Sequence, residues 1–413
     1  MNIYAVIIVS ALAGGYLLEL ISDILNIRSL KPDLPGDFKD IYDADSYLKS
    51  QQYTRANTRF GLLSNSFDLA VLVVFWFAGG FNYIDLIVRS PGYNTVWTGL
   101  LFIGLLMLFK TVLSLPFSIY STFVIEERFG FNKTTAATFT GDLLKGVLLT
   151  LILGAPLMGL VIWFFEAAGH LAWLYCWVTV TLFMLFIQFI APAWIMPLFN
   201  RFKPLDEGEL KDAIMDYARS VDFPLKNLFV IDGSKRSSKS NAFFTGFGRN
   251  KRIALFDTLI DGHSTSELVA ILAHEIGHYK KRHILQSMII GILHMGLMLF
   301  LLSVFVGNEG LFDAFYMDNA SVYAALVFFG ILFSPVEIIL SVLMNLLSRK
   351  NEYEADRFAV HTTGGKEDMV SGLKKLSVHN LSNLTPHPFY VFLNYSHPPL
   401  IERIRAIRSV SEV

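Results

Sequence analysis

The chain has 413 residues, 53% apolar and only 17% charged, with 36 phenylalanines and a net charge of −1. Ordinary soluble domains carry roughly a quarter charged residues, so this composition argues against two or three soluble domains and for a lipid surrounding or an unusually large core. The near-neutral balance offers no basic surplus to a nucleic-acid partner. The single cysteine, Cys176, excludes an intrachain disulfide framework and a cysteine-built metal site. It lies in an apolar run and reads as packing material.

Seven stretches are apolar over the roughly 20 residues that a bilayer crossing requires. In chain order they cover about 3–26, 61–88, 96–124, 142–167, 171–199, 284–307 and 320–347. The first has no basic segment before it and no small-residue cleavage site after it, so it reads as a retained helix, not a signal peptide. The chain thus divides into 1–200 with five spans, a polar segment 201–283, two spans in 284–347 and a second polar segment 348–413. The connections at 27–60, 201–283 and 348–413 hold 6, 14 and 9 Lys and Arg, whereas 168–170 and 308–319 hold none. Basic residues gather on the cytoplasmic side of membrane proteins. Seven spans with the N-terminus outside put every basic connection there, so the two polar segments share one compartment and can build one site. Glu19, Asp68, Lys110, His294 and Glu337 fall inside spans. Charge facing lipid costs several kcal/mol, so each must pair between helices, snorkel near a helix end or face an internal aqueous cavity. Pro335 should bend the last span.

Residues 264–283 carry the chemistry. Ser264 followed by Glu267 is a capping box that starts a helix, and Leu268, Ile271, Leu272 and Ile276 form its apolar stripe. His274 and His278, four residues apart, project from one face, and two imidazole nitrogens can there meet one zinc at about 2.0–2.1 Å. Glu275 is displaced round the helix, placed to reach a water at the metal as general base. A catalytic zinc keeps three protein ligands and an open position. In the helix-compatible run 351–356, Glu352 and Asp356 share a face while Glu354 points elsewhere. Glu352 is the expected third ligand, and Asp356 a carboxylate that orients a zinc-bound histidine. His397 is held out of a helix by Pro398 and Pro399, and a fixed histidine near zinc can donate to an oxyanion. His263 and His283 read as surface residues.

His274-Glu275-Ile276-Gly277-His278, the Glu352-x-x-x-Asp356 helix and Ser396-His397-Pro398 together resemble the integral-membrane CAAX prenyl proteases of the Ste24 type. The likeness extends over Ile125–Lys133 (Ile-Glu-Glu-Arg-Phe-Gly-Phe-Asn-Lys), Pro197-Leu198-Phe199-Asn200, Pro204-Leu205 and Ser240-Asn241-Ala242-Phe243. It implies an α-helical integral membrane protein with seven transmembrane helices enclosing a chamber. A mostly helical, gluzincin-like zinc domain with a small β-sheet, made from both polar segments, would cap it. It implies one Zn2+ per chain held by His274, His278 and Glu352. Asn241 and Ala242 would offer a backbone edge to an extended peptide, and His397 and Arg403 would contact the scissile region, Arg403 holding a peptide carboxylate. The substrate would be a peptide or protein prenylated at a C-terminal CAAX motif, cut to release a tripeptide. A C-terminus without a dilysine-like signal and a compact chain point to a bacterial inner membrane, or to the endoplasmic reticulum if the source is eukaryotic. Two rivals remain at this stage. A membrane quality-control metalloprotease shares the zinc motif but has fewer spans. A seven-span transporter or receptor with a structural zinc site should have four protein ligands.

Overall fold

The structure is a computed structural model and describes residues 2–245 and 251–411. Glu412 and Val413, on which the retention-signal expectation bears, lie outside the described residues. Among those described, seven helices are long and apolar enough to cross a membrane. They are α1 (Ile3–Ser29), α2 (Ala44–Phe77), α3 (Thr95–Glu126), α4 (Ala136–Ala167) and α5 (Gly169–Phe199), followed after the first polar segment by two more. The seven expected spans fall on them one for one.

Several helices outrun the apolar stretch that predicts them. α2 starts at Asp43, whose side chain caps Ser46 N–H at 2.7 Å, because the polar residues after it contain no proline or glycine to stop a helix before Gly61. π-helical turns interrupt α3, α4 and α5 at Ser121–Glu126, Thr150–Gly154 and Ala191–Ile195. Pro116, Pro156 and Pro192 lie in or close to these turns; each removes a backbone donor, and a widened turn absorbs the misfit.

The polar segment 201–283 holds β1 (Phe202–Pro204), α6 (Glu209–Ser220), β2 (Leu225–Ile231), β3 (Ala242–Thr245), β4 (Lys251–Phe256) and α7 (Thr265–Lys280). The strands form one sheet in the order β1-β2-β4-β3, with β2 and β4 parallel and the outer pairs antiparallel. The remaining spans are α8 (His283–Phe305) and α9 (Val322–Thr363), and the chain ends in α10 (Lys366–His379), α11 (Pro388–Asn394) and α12 (Leu400–Ser409). α9 continues through Pro335 for 42 residues, or about 63 Å at 1.5 Å per residue. That is twice a hydrocarbon core of roughly 30 Å, so its last turns stand clear of the membrane. Gly364, at φ +65°, ends it in the left-handed region that suits glycine.

Two cores close the molecule at opposite ends. Helix ends on one side of the membrane meet in an aromatic cluster of Trp76, Phe81, Phe102, Phe315, Tyr323 and Phe328. There Phe315 stacks on Phe328 at 3.9 Å and Trp76 Nε1 donates to Ala314 O. At the other end the sheet packs with α6, α7, α10 and α12 on Ile214, Leu255, Leu272, Ile276, Ala359 and Ile404. Between these ends 6–17% of an 18-residue apolar window in each span is buried. Four of the five ionisable residues inside spans pair between helices, Lys110 with Asp68 at 2.5 Å and His294 with Glu337 at 3.2 Å. A cavity of about 640 Å³, lined by Gln188, His278, Ser287, Met288 and Met344 among others, opens beside α7.

Candidate active site

α7 is built as its sequence foretells. Ser264 Oγ accepts from Glu267 N–H while Glu267 Oε2 accepts from Ser264 N–H at 2.8 Å. Lys375 and Ser371 on α10 hold the same carboxylate, so the start of the helix is tied to a second element. The far half of α7 lies along the emergent end of α9. A β-carbon on Gly277 would stand 3.2 Å from the Ala355 backbone, so the glycine between the two histidines lets the helices approach.

That approach gathers three candidate ligands. His274 Nε2 lies 3.1 Å from His278 Nε2, and the Glu352 carboxylate lies 3.4 Å from the first and 3.2 Å from the second. Their ligand atoms all fall within 4.8 Å of one another. His274 Nδ1 is 2.8 Å from Asp356 Oδ1. A carboxylate only accepts, so Nδ1 carries the proton and Nε2 of the neutral ring presents its lone pair to the cluster. Burial disfavours charge on His274, but the neighbouring Asp356 and Glu352 carboxylates outweigh it and raise its pKa to about 9, so a cation bound at Nε2 would displace a proton there. Glu352 Oε2 is buried without a hydrogen-bond partner. Two basic nitrogens facing one another beside an unsatisfied carboxylate oxygen fit a divalent cation of borderline softness.

The other expected residues fall as follows. Glu275 follows His274 on α7 and is half-buried. His397, exposed just before Pro398 and Pro399, reaches over Glu352 with Nε2 3.4 Å from Oε1. Arg403 is buried on α12 and grips Asp356 through Nε at 2.9 Å and a terminal nitrogen at 2.6 Å, with its other nitrogen 3.4 Å from Glu352. Its guanidinium thus faces the protein's own carboxylates. Asn241 and Ala242 lie at the start of β3, the outermost strand of the sheet, which packs against α7. Asn241 O accepts from Phe256 N–H on β4, so by antiparallel alternation the backbone of Ala242 faces the open edge. Asn241 Oδ1 meets the Ala242 N–H at 2.8 Å.

The expectation for His283 fails. It is 5% exposed, with Nδ1 3.1 Å from His278 Nδ1 and Nε2 3.2 Å from Glu354 Oε2. His263 is partly buried, each ring nitrogen within 3.3 Å of a backbone carbonyl. The fifth position after His278 lies off the ligand face of a continuous helix, so only the break between α7 and α8 brings His283 back.

Comparisons with known proteins give the family. Residues 23–201 match the family described as CAAX prenyl protease N-terminal, five membrane helices, and residues 204–411 match peptidase family M48. CAAX prenyl protease 1 of Saccharomyces cerevisiae is 37% identical over 92% of this chain and 89% of its own length. The homologue of Oryza sativa is 36% identical, covering 95% and 94%, and that of Homo sapiens 33%, covering 92% and 89%. The crystal structure of S. mikatae Ste24p superposes with a TM-score of 0.93 at 35% identity, over 98% of this chain and 99% of the other. The chain belongs to peptidase family M48 and, within it, to the CAAX prenyl protease 1 (Ste24) group of multi-pass membrane metalloendopeptidases.

Proposed function

We propose that this chain is a zinc endopeptidase that removes a C-terminal tripeptide next to a prenylated cysteine, using His274, His278 and Glu352 to hold the metal. The convergence of those three ligand atoms within 4.8 Å carries the reading, and the names of the relatives supply the substrate class. A bound zinc ion supplies Lewis acidity and lowers the pKa of water towards 7. Asp356 holds His274 in its ligating tautomer, and Arg403 keeps Asp356 charged and in place. The peptide lies extended along the Ala242 edge of β3. Glu275 takes a proton from the attacking water and returns it to the leaving amine. His397 donates to the oxyanion formed at the scissile carbonyl. Three candidate ligands with a base beside them favour this over a structural zinc site, which takes four protein ligands. The Lys and Arg distribution supports a site on the cytoplasmic side of the membrane.

The test pairs two otherwise identical CAAX peptides, farnesylated and unmodified, with the detergent-purified protein and its Glu275→Gln variant. The wild type should cut the farnesylated peptide after the cysteine. The variant should keep zinc and lose activity by a factor of about 100 or more. Proteolysis at the wild-type rate in Glu275→Gln would remove Glu275 from the mechanism. Equal cutting of both peptides would remove the prenyl requirement.

A further inference from the structure

We propose that His283, backed by Glu354, is a positioning residue that fixes the tautomer of His278 and aims its Nε2 at the metal position; this rests on the zinc reading above. Glu354 Oε2 stands 3.2 Å from His283 Nε2. A carboxylate only accepts, so His283 Nε2 bears the proton, and Nδ1 of the neutral ring is left as an acceptor. That nitrogen lies 3.1 Å from His278 Nδ1, which must therefore donate. The Nε2 of His278 is then the free lone pair, 3.2 Å from Glu352 Oε1 and 3.1 Å from His274 Nε2. Each ligating histidine has its own carboxylate behind it, Asp356 directly on His274 and Glu354 through one imidazole on His278. Both carboxylates come from α9, two residues apart on opposite sides of Ala355. Lys350, one turn earlier, has Nζ 3.8 Å from the other Glu354 oxygen.

The backbone makes this relay possible. Residues five apart do not share a helix face. α7 ends at Lys280, and Arg282 adopts φ +62°, ψ +23° before α8 begins at His283. For a residue with a side chain that conformation is strained. The Arg282 side chain is exposed and gives no reason for the strain. What the turn does is fold His283 back beneath His278, buried where the membrane helix starts.

The experiment measures zinc dissociation constants on the detergent-purified full chain, by competition with a chromophoric chelator, with thermal melting as a control for folding. His283→Leu, which removes the acceptor, should bind zinc 10–100-fold more weakly, the usual effect of losing such a partner. His283→Asn places an amide oxygen near the lost Nδ1 and should restore most of the affinity. Arg282→Gly suits a positive φ and should leave affinity intact. Arg282→Val, strained there, should weaken it without touching any ligand. A purely structural role predicts that Leu and Asn at 283 fall together with melting temperature, and that outcome overturns the proposal, as does wild-type affinity in His283→Leu. Wild-type protein that binds no zinc would instead overturn the metal reading on which this one stands.

Discussion

At Gly277 two effects of opposite sign compete. Within an isolated helix, glycine costs about 1 kcal/mol against alanine, so Gly277→Ala should stabilise α7 on its own. Its β-carbon, however, would meet Ala355 and Phe358 at 3.1–3.2 Å; two of the contacts are backbone atoms that cannot swing away. Overpacking of that kind costs about 1–3 kcal/mol, so packing should win. Gly277→Ala is expected to lower the melting temperature and push α9, with Glu352, off the two histidines. Zinc content and thermal melting check this, and a stabilised variant with full zinc would show that the helices have room. Arg403 gives a second contest. Its guanidinium is the main positive charge facing buried Asp356 and Glu352. Arg403→Met fills the space but leaves those carboxylates uncompensated, a loss of about 3–5 kcal/mol. Arg403→Lys keeps the charge without the two-pronged grip and should recover only part of the loss. If Arg403 instead held a substrate carboxylate, Arg403→Met would raise KM and leave melting and zinc untouched.

Among the elements, the connection between α3 and α4 explains a motif that the sequence marks without a role. Ile125–Lys133 does not touch the candidate metal position. It clasps the segment that leads into β3. Ser237 pairs with Asn132, Ser238 N–H bonds Phe131 O, and Lys133 N–H bonds Arg236 O. Lys239 Nζ donates to Tyr53 Oη at 2.6 Å and sits 2.9 Å from Glu126 Oε2, over the rings of Tyr53 and Phe131. Asn380 at the end of α10 then fixes Ser240 through both its side-chain amide groups. The edge strand is thereby anchored to two membrane helices and to α10. Lys239→Met should release one anchor: KM for a peptide should rise several-fold while kcat and zinc content hold, read from initial rates. Equal losses in kcat and zinc would mean that the clasp supports the whole domain. The two histidines, their helix start and Glu352 were legible in the sequence because each depends on residues within one helical turn. The clasp and the His278–His283–Glu354 relay were not, since each joins segments about 70 or more positions apart. The nearest local signal for the relay is the histidine five places after His278, and it reads as a surface residue until the left-handed turn at Arg282 is seen.

At the scale of the molecule, the seven helices are tied at one end by aromatic packing and at the other by the soluble domain, with little burial between. The spans were legible because crossing a bilayer demands length and apolarity whatever the fold. A chamber between them was expected only from the family resemblance, because a helix facing lipid and one facing a cavity can share a composition. The charges within spans hinted at it, and the structure pairs Asp68 with Lys110 and His294 with Glu337 between helices. Such pairs are costly in hydrocarbon and far less so in water. If the cavity beside His278 is water-filled, a hydrophilic thiol reagent should reach its wall. The chain suits this test, because its single cysteine, Cys176, is fully buried with Sγ against Val161 O and should stay silent. Ser287→Cys on α8 lines the cavity. In sealed vesicles it should react with a charged, membrane-impermeant maleimide added on the side that carries the metal site, and a bound peptide inhibitor should slow that labelling. A control such as Leu293→Cys, on an exposed stretch of the same span, should resist the reagent if it faces lipid. No reaction at position 287 would mean that the helices close against one another in the membrane and that substrate does not pass between them.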